Sequence, residues 1–542
     1  MNGFEAIANI LKKEGFEWMA CFPANPLIEA AANAGIRPIV FRQERGGIMA
    51  ADGFSRMLAS QGKRGVFCCQ GGPGVENSFG GIAQAWADSV PILFLPAGDR
   101  DPDIEPNFSA PKNYGQITKW AASINSAEDI PNLMRRAMSA LINGRPGPVL
   151  LEMKSKAMVQ TIDNIDDYSS PQITLSAPHS NDIKSAVSNI INAQNPIIWA
   201  GQGTLYAGAT NELKELVELL QIPILTTMQA KSAFDERHPL SLGSANRTAP
   251  KTVWHWLKES DLILGIGTSW TKTNFAIDIP EGKTLIHNTN NLTDISKEYK
   301  TDIGLLGDAK LTLEMLIEET KAQLGSTKRN NDSIIESIAI IKKEWNEEWS
   351  GLLNSDQTPI NPYRLINEIN KAVDHENTII THDAGHPRDQ IMPFYPATVP
   401  HSYIGWGKST HLGYGIGLAI GAKIANPDKF CVNFMGDAAF GMAGLDIETS
   451  VRSGNPITTI VLDNGTMGGY DHHQPVAMSK YGAGNMTGSY TTIAKGLGAV
   501  GINVEKPEEI VPAIKAAEKA NKDGKSVLIN VKTKQEDKFS IY

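Results

Sequence analysis

Residues 430–469 read FCVNFMGDAAFGMAGLDIETSVRSGNPITTIVLDNGTMGG, and the reading of this stretch decides the fold. Residues 431–435 are apolar except for Asn433, and the run stops at Gly436-Asp437. A helical segment follows, with Met442, Leu445, Ile447 and Val451 roughly on one side. Gly454-Asn455-Pro456 ends it. A second run, 457–462, is β-branched and mostly apolar, the composition of a strand buried on both faces. It stops at Asp463-Asn464-Gly465. Two parallel strands joined by a helix place Asp437 and Asn464 side by side, just past the carboxyl ends of the strands, where open α/β sheets bind ligands. Both side chains offer hard oxygen atoms, which suit Mg²⁺ or Ca²⁺, and Mg²⁺ shares its remaining positions with phosphates and water. Gly436, Ala438 and Ala439 are small enough for backbone to approach an anion. The next helix points free N–H groups at the same spot, which favours phosphate. The stretch therefore predicts a divalent cation bridging protein to a diphosphate. The plainer alternative is a βαβ unit with a turn Asp and a turn Asn.

The chain of 542 residues is too long for one core, so two to four domains are expected. Hydrophobic residues make up 41% and charged residues 20%, the balance of a soluble globular protein. A net charge of −9 gives no electrostatic support to a nucleic-acid or anionic-membrane role. No apolar run reaches the ~18–20 residues of a membrane span. The opening MNGFEAIANILKKEGFEWMACF reads as an amphipathic helix entering a strand, not as a signal peptide. Cys21, Cys68, Cys69 and Cys431 all fall in apolar predicted strands and none is spaced for zinc. Buried reduced thiols in a cytoplasmic protein account for them.

Strands and helices alternate elsewhere too. A strand at 37–41 leads into RQERGGIMAADGF, so Glu44 sits at a strand end and opens a small-residue helix. Read alone, Glu44 is a carboxylate favoured by the helix macrodipole. Strand 65–69 closes on Gln70-Gly71-Gly72-Pro73-Gly74, followed by a helix at 75–88 and a strand at 90–96. In the middle third, strands at 195–203, 222–227 and 261–267 flank a helix at 209–220. The turn GQGTLY at 201–206 lacks the third glycine of a dinucleotide fingerprint, so a dinucleotide oxidoreductase is a poor reading. Residues 325–359 read as a solvated helical connector whose flexible start is Asn330-Asn331-Asp332. In the last third a strand at 378–381 closes on HDAGHPR, and GWGKSTHLGYGIG, 405–417, precedes an Ala-rich helix. Helix, small or polar residue, Pro-Ile and strand recur at 89–94, 221–226 and 455–460, as three α/β domains of related build would produce.

Together these motifs resemble the thiamine diphosphate enzymes of the acetolactate synthase-like family, with 2-hydroxyacyl-CoA lyases and oxalyl-CoA decarboxylases among its members. The family's Gly-Asp-Gly and following Asn are matched by Gly436-Asp437-Ala438 and by Asn464, 27 positions after Asp437; Ala438 is a departure. RQERGGIMAADGFSR resembles the family's Glu-bearing helix. Gly71-Gly72-Pro73-Gly74-Val75-Glu76-Asn77 resembles its Ser-Gly-Pro-Gly-x-x-Asn run, and Ala87-Asp88-Ser89-Val90-Pro91 its Asp-Ser-x-Pro end. The resemblance implies an α/β fold of three doubly wound domains with mainly parallel sheets. A pyrimidine-binding domain would occupy 1–165, a central Rossmann-like domain 180–325, a helical linker 326–358 and a diphosphate- and Mg-binding domain 359–542.

The resemblance also implies roles. Asp437, the Asn464 side chain and the Thr466 carbonyl would hold Mg²⁺, with Gly436, Ala438, Ala439 and Met467 beside the diphosphate. Gly385 and His386 would reach the diphosphate from another loop. Leu412 stands where the family has a Met that props the cofactor into a V shape. Glu44 would bond N1′ of the aminopyrimidine, the tautomer that results would take the thiazolium C2 proton, and Pro73 and Asn77 would line the pyrimidine. His472 and His473 fall on the segment that faces substrate, as proton carriers or as surface residues. The tail at 534–542 would fold over the site. The central domain binds FAD in some members, ADP in others and nothing in others; here SANRT at 244–248 and TSWTK at 268–272 are not the runs expected beside FAD. A homodimer or homotetramer with active sites at the subunit interface is implied. So is carbon–carbon cleavage or ligation on a small-molecule 2-oxo acid or 2-hydroxyacyl-CoA. The leading form is acetolactate synthase-like: decarboxylation of a 2-oxo acid and transfer of the acyl unit to a second carbonyl. Its rivals are 2-hydroxyacyl-CoA lyase or oxalyl-CoA decarboxylase-like chemistry, a flavin oxidase and, from another class, a non-catalytic thiamine diphosphate-binding relative.

Overall fold

A computed structural model describes residues 1–98, 107–325 and 332–542. Three six-stranded sheets organise it. The first contains β1 (Trp18–Cys21), β2 (Arg37–Val40), β3 (Gly65–Cys69), β4 (Ile92–Gly98), β5 (Trp120–Ile124) and β6 (Val149–Lys154) in the order β2-β1-β3-β4-β6-β5. The second contains β7 (Pro196–Ala200), β8 (Ile224–Thr227), β9 (Ser241–Ala245), β10 (Leu262–Ile266), β11 (Thr284–Thr289) and β12 (Ile303–Leu306) in the order β12-β11-β10-β7-β8-β9. The third contains β13 (Thr378–His382), β14 (Tyr403–Ile404), β15 (Phe430–Gly436), β16 (Thr458–Asp463), β17 (Val500–Val504) and β18 (Val527–Lys532) in the order β14-β13-β15-β16-β18-β17. Every pairing between these strands is parallel. Fully buried runs such as Val66–Cys69 and Cys431–Met435 explain this, since parallel strands covered on both faces need continuous apolar sequence. The first and third sheets share one strand order, and the second has the Rossmann order. The α/β class with three parallel sheets is as the sequence indicated. Among the described residues no helix is long and apolar enough to cross a membrane.

Two local expectations need correction. The crossover from β15 to β16 is not one helix. It is a helix at Asp437–Ala443, a 3₁₀ turn at Gly444–Asp446 and a helix at Ile447–Arg452. Gly441 and Gly444 weaken the helix, and the Phe440 ring packs where a side chain on Gly444 would sit, 2.6 Å from the Cβ position. The connector is helical at Asp332–Leu353, yet it is not solvated all round. Ile338, Ile341, Trp345 and Trp349 form a buried stripe at helical spacing. Trp345 stacks on Phe394 at 4.6 Å, and Trp349 meets Tyr363 edge-on at 4.8 Å. Asn330 and Asn331 lie outside the described residues.

The first and third lobes share one core. The helices Glu44–Leu58 and Gly415–Ala425 lie against each other, with Ile48, Met49 and Phe54 packed among Trp406, Ile416, Leu418 and Ile420. Glycine sets the separation. A Cβ on Gly53 would stand 2.4 Å from the Leu418 carbonyl oxygen, and one on Gly421 would stand 2.0 Å from that of Ala50. The contact brings the start of each helix, and the loop before it, to a common place.

Candidate active site

β15 delivers Asp437 to the start of a helix, where it is 3% exposed. Its Oδ1 accepts from the Ala438 amide at 2.7 Å, and its Oδ2 accepts from the Gly465 amide at 2.9 Å. Asp437 thereby ties the end of β15 to the turn after β16. In that turn Asn464 Oδ1 accepts from the Thr466 amide at 3.1 Å. The far side of the turn is held by Met467 N–H to the Gly484 carbonyl (2.8 Å) and Met486 N–H to that of Gly465 (2.8 Å). Burial, with Asp463 nearby, raises the pKa of Asp437. Asp463 itself is paired with Lys532, whereas among the described residues no cation stands within ion-pair distance of Asp437. A buried carboxylate without a protein counter-ion, next to an amide oxygen and a carbonyl-bearing turn, is a donor set that suits a hard divalent cation. Among the described residues no cluster of three or more His, Cys, Asp or Glu could hold a metal, so any cation here depends on amide and carbonyl oxygens.

Two further loops meet this turn. Gly385, at φ 82°, opens the helix His386–Phe394, and a Cβ on Gly468 would lie 2.6 Å from His386 Nδ1. Burial lowers the pKa of His386. Leu412 is partly buried against the shared core. Its loop rests on the Asp437 helix: a Cβ on Gly413 would be 3.2 Å from that of Ala443 and 3.3 Å from that of Met442. Asp383, fully buried, accepts from the amides of Ala384, Gly413 and Gly415 at 2.8–2.9 Å. Burial pushes its pKa up to about 6. Asp383 was not singled out in the sequence; its position directly after an apolar strand, before Ala384-Gly385, was the available signal.

Glu44 is 1% exposed and accepts from Asn77 Nδ2 at 3.1 Å. Pro73, the first residue of the helix Pro73–Ala87, and Asn77 one turn later lie on the open surface. The residues around Glu44 touch the third lobe. Arg45 bonds His411 Nε2 at 2.8 Å and the Met442 carbonyl at 2.9 Å, and the Arg42 amide donates to Asp446 at 2.9 Å. Among the described residues no hydrogen bond links Glu44 to Asp437, Asn464 or Thr466 within the chain. His472 and His473 sit on the short helix Tyr470–His473, both exposed, with His472 Nε2 3.2 Å from Asp537 Oδ2. The tail passes this rim. Phe539 meets His386 edge-on at 5.0 Å, and Ser540 bonds Ala249 and Trp345.

The central lobe bounds a cavity of about 390 Å³. It opens beside Gly201-Gln202-Gly203 and Gly267, between β7 and β10, where the strand order reverses. The indole N–H groups of Trp199 and Trp270 and the amide of Asn246, all lining it, are buried with no hydrogen-bond partner among the described residues.

Family models agree with this three-lobe arrangement. The "Thiamine pyrophosphate enzyme, N-terminal TPP binding domain" matches residues 1–116, the corresponding central domain 183–316 and the C-terminal TPP binding domain 383–531. A probable acetolactate synthase large subunit of Methanococcus aeolicus is 30% identical over 95% of this chain and 90% of its own length. The acetolactate synthase large subunit of Corynebacterium glutamicum is 27% identical over 96% and 85%. A 2-hydroxyacyl-CoA lyase of Arabidopsis thaliana is 26% identical over 91% and 88%. The chain belongs to the thiamine diphosphate enzymes of the acetolactate synthase-like family, which act on carbon–carbon bonds.

Proposed function

We propose that this protein is a Mg²⁺-dependent carboligase that decarboxylates a 2-oxo acid and passes the acyl unit to a second carbonyl. The observation that carries the reading is Asp437, buried without a cation partner among the described residues and bonded to the turn of Asn464 and Thr466. When bound, thiamine diphosphate supplies the electron sink, and the protein supplies binding and orientation. Asp437, the Asn464 side chain and the Thr466 carbonyl would hold the cation. Gly436, Ala438, Ala439 and Met467 border the diphosphate, with Gly385 and His386 closing its other side. Leu412 would support the cofactor from the loop before the helix Gly415–Ala425. Glu44 holds a proton at the pyrimidine N1′ and Asn77 orients the Glu44 carboxylate, with Pro73 alongside. His472, anchored by Asp537, and His473 serve the substrate rim.

In this reading Glu44 of one subunit serves the pyrimidine of the cofactor whose diphosphate the partner subunit holds, as a homodimer or homotetramer. Large apolar side chains left exposed support it: Phe79 (44% exposed), Met442 (43%) and Leu445 (60%). The cytoplasm suits its buried free cysteines. Incubating the purified protein with ThDP, Mg²⁺ and pyruvate, and following CO₂ release and acetoin-type products, tests the reading. No turnover on any 2-oxo acid would reject it.

The central cavity favours a second reading, a 2-hydroxyacyl-CoA lyase. Arg64, Lys310 and Lys408 line it and suit a phosphorylated adenine nucleotide. Cleavage of a 2-hydroxyacyl-CoA with no activity on pyruvate would select this reading. ADP or FAD would occupy the same cavity, and a colourless purified protein would exclude FAD.

A further inference from the structure

The helix end at Asp88 and the arginine that closes the Glu44 helix motif have no role in the site as described so far. The structure joins them. Asp88 and Arg56 are both buried. Asp88 Oδ2 accepts from Arg56 Nη2 at 3.0 Å, Gln84 Nε2 at 2.9 Å and the Gly407 amide at 3.1 Å, while Oδ1 accepts from the Lys408 amide at 3.1 Å. Arg56 also pairs with Asp52 and donates through Nη1 to the Gly405 carbonyl at 3.1 Å. Tyr414 O–H donates to Asp52 at 3.0 Å. Gln84 Oε1 accepts from the His411 amide at 3.0 Å.

The node therefore contains two carboxylates and one guanidinium. The Asp88 carboxylate is met further by the Gly407 and Lys408 amides of the loop 405–411. Lifting the loop would leave a buried carboxylate short of donors, which is costly. Downstream, Asp383 holds the amides of Gly413 and Gly415. Only residues 409–412 hang between the two carboxylate clamps, and Leu412 is among them.

We infer that Asp88, held in place by Arg56, is a positioning residue that sets where Leu412 meets the cofactor. The inference rests on the reading of Leu412 given above. Asp88 itself touches neither cofactor nor substrate in it. A misplacement of about 1 Å costs a reaction of this kind up to about a hundredfold.

The test uses the full-length holoenzyme and Asp88→Asn, with Arg56→Lys beside it. In Asp88→Asn, kcat should fall about tenfold or more, while KM and the ThDP dissociation constant stay within about threefold. C2 proton exchange of bound ThDP should slow by a similar factor. In the cofactor-free protein, amide hydrogen exchange over 405–413 should quicken in both variants. If Asp88→Asn does not fold, the near-isosteric Gln84→Met cuts the Asp88 and His411 links alone and should give a smaller loss of the same pattern. Unchanged kcat overturns the proposal, and so does a joint loss of kcat, ThDP affinity and thermal stability, the mark of a purely structural ion pair. Should the wild-type protein fail to bind ThDP, the reading of the site fails; the cofactor-free exchange experiment still decides whether Asp88 holds the loop.

Discussion

The first and third lobes have the same strand order, yet the proposed reading gives each a different half of the chemistry. Where β15 ends, Gly436-Asp437 starts a helix with a carboxylate; where the equivalent β3 ends, Gly72-Pro73 starts one without. The helix after β2 opens on buried Glu44, while the equivalent helix after β14 is preceded by the long loop that holds Leu412. One scaffold thus offers the same positions twice, and side chains decide what each position does. The lobes face each other through these equivalent helices, so neither can be moved without disturbing the other.

That contrast can be broken one side at a time. Glu44→Gln should remove the acid half alone: turnover falls at least about a hundredfold with ThDP binding retained, read by steady-state kinetics and calorimetry. Turnover like wild type would show that the first lobe holds no acid function. Asp437→Ala should do the reverse and weaken Mg²⁺-dependent ThDP binding by about tenfold or more, in a calorimetric titration. Equal affinities would remove the cation from the third lobe. The seam between the lobes is tested by Gly421→Ala, whose new methyl would press on the Ala50 carbonyl. A loss of about 1–3 kcal/mol is expected from denaturant unfolding of the cofactor-free protein.

The smallest effect concerns Asp383. Its native pKa, about 6, lies above its ordinary value of 3.8, so the folded state binds this proton more tightly than the unfolded chain does. Its contribution to stability therefore falls as pH rises from about 3.8 to about 6. In Asp383→Asn that part of the slope should vanish in urea unfolding across the same window. An unchanged slope would mean that another group, such as Asp446 with its similarly raised pKa, carries it.

Strands and their ends were legible because an apolar run bounded by Gly, Asp or Pro is a local pattern. Cys431–Met435 and Gly65–Cys69 could be placed without knowledge of any partner. The approach of Asp437 to the Asn464 turn was legible for a related reason: a crossover between adjacent parallel strands leaves little choice of where their ends go. The cofactor class followed from the resemblance of these motifs to a known family. The break at Gly444 was not legible, since it depends on where the Phe440 ring lies. Nor was the buried face of the connector, whose tryptophans are covered by the tail and by Phe394.

The amino-acid sequence alone determined the alternation of parallel strands and helices, the meeting of Asp437 with the Asn464 turn and the helix that opens on Glu44, because hydrophobic period and turn chemistry act over a few residues. Only the tertiary structure decided that Asp88, Arg56 and Asp383 clamp one loop. Those contacts join segments up to hundreds of residues apart, and their geometry is set by how closely two glycine-bearing helices pack.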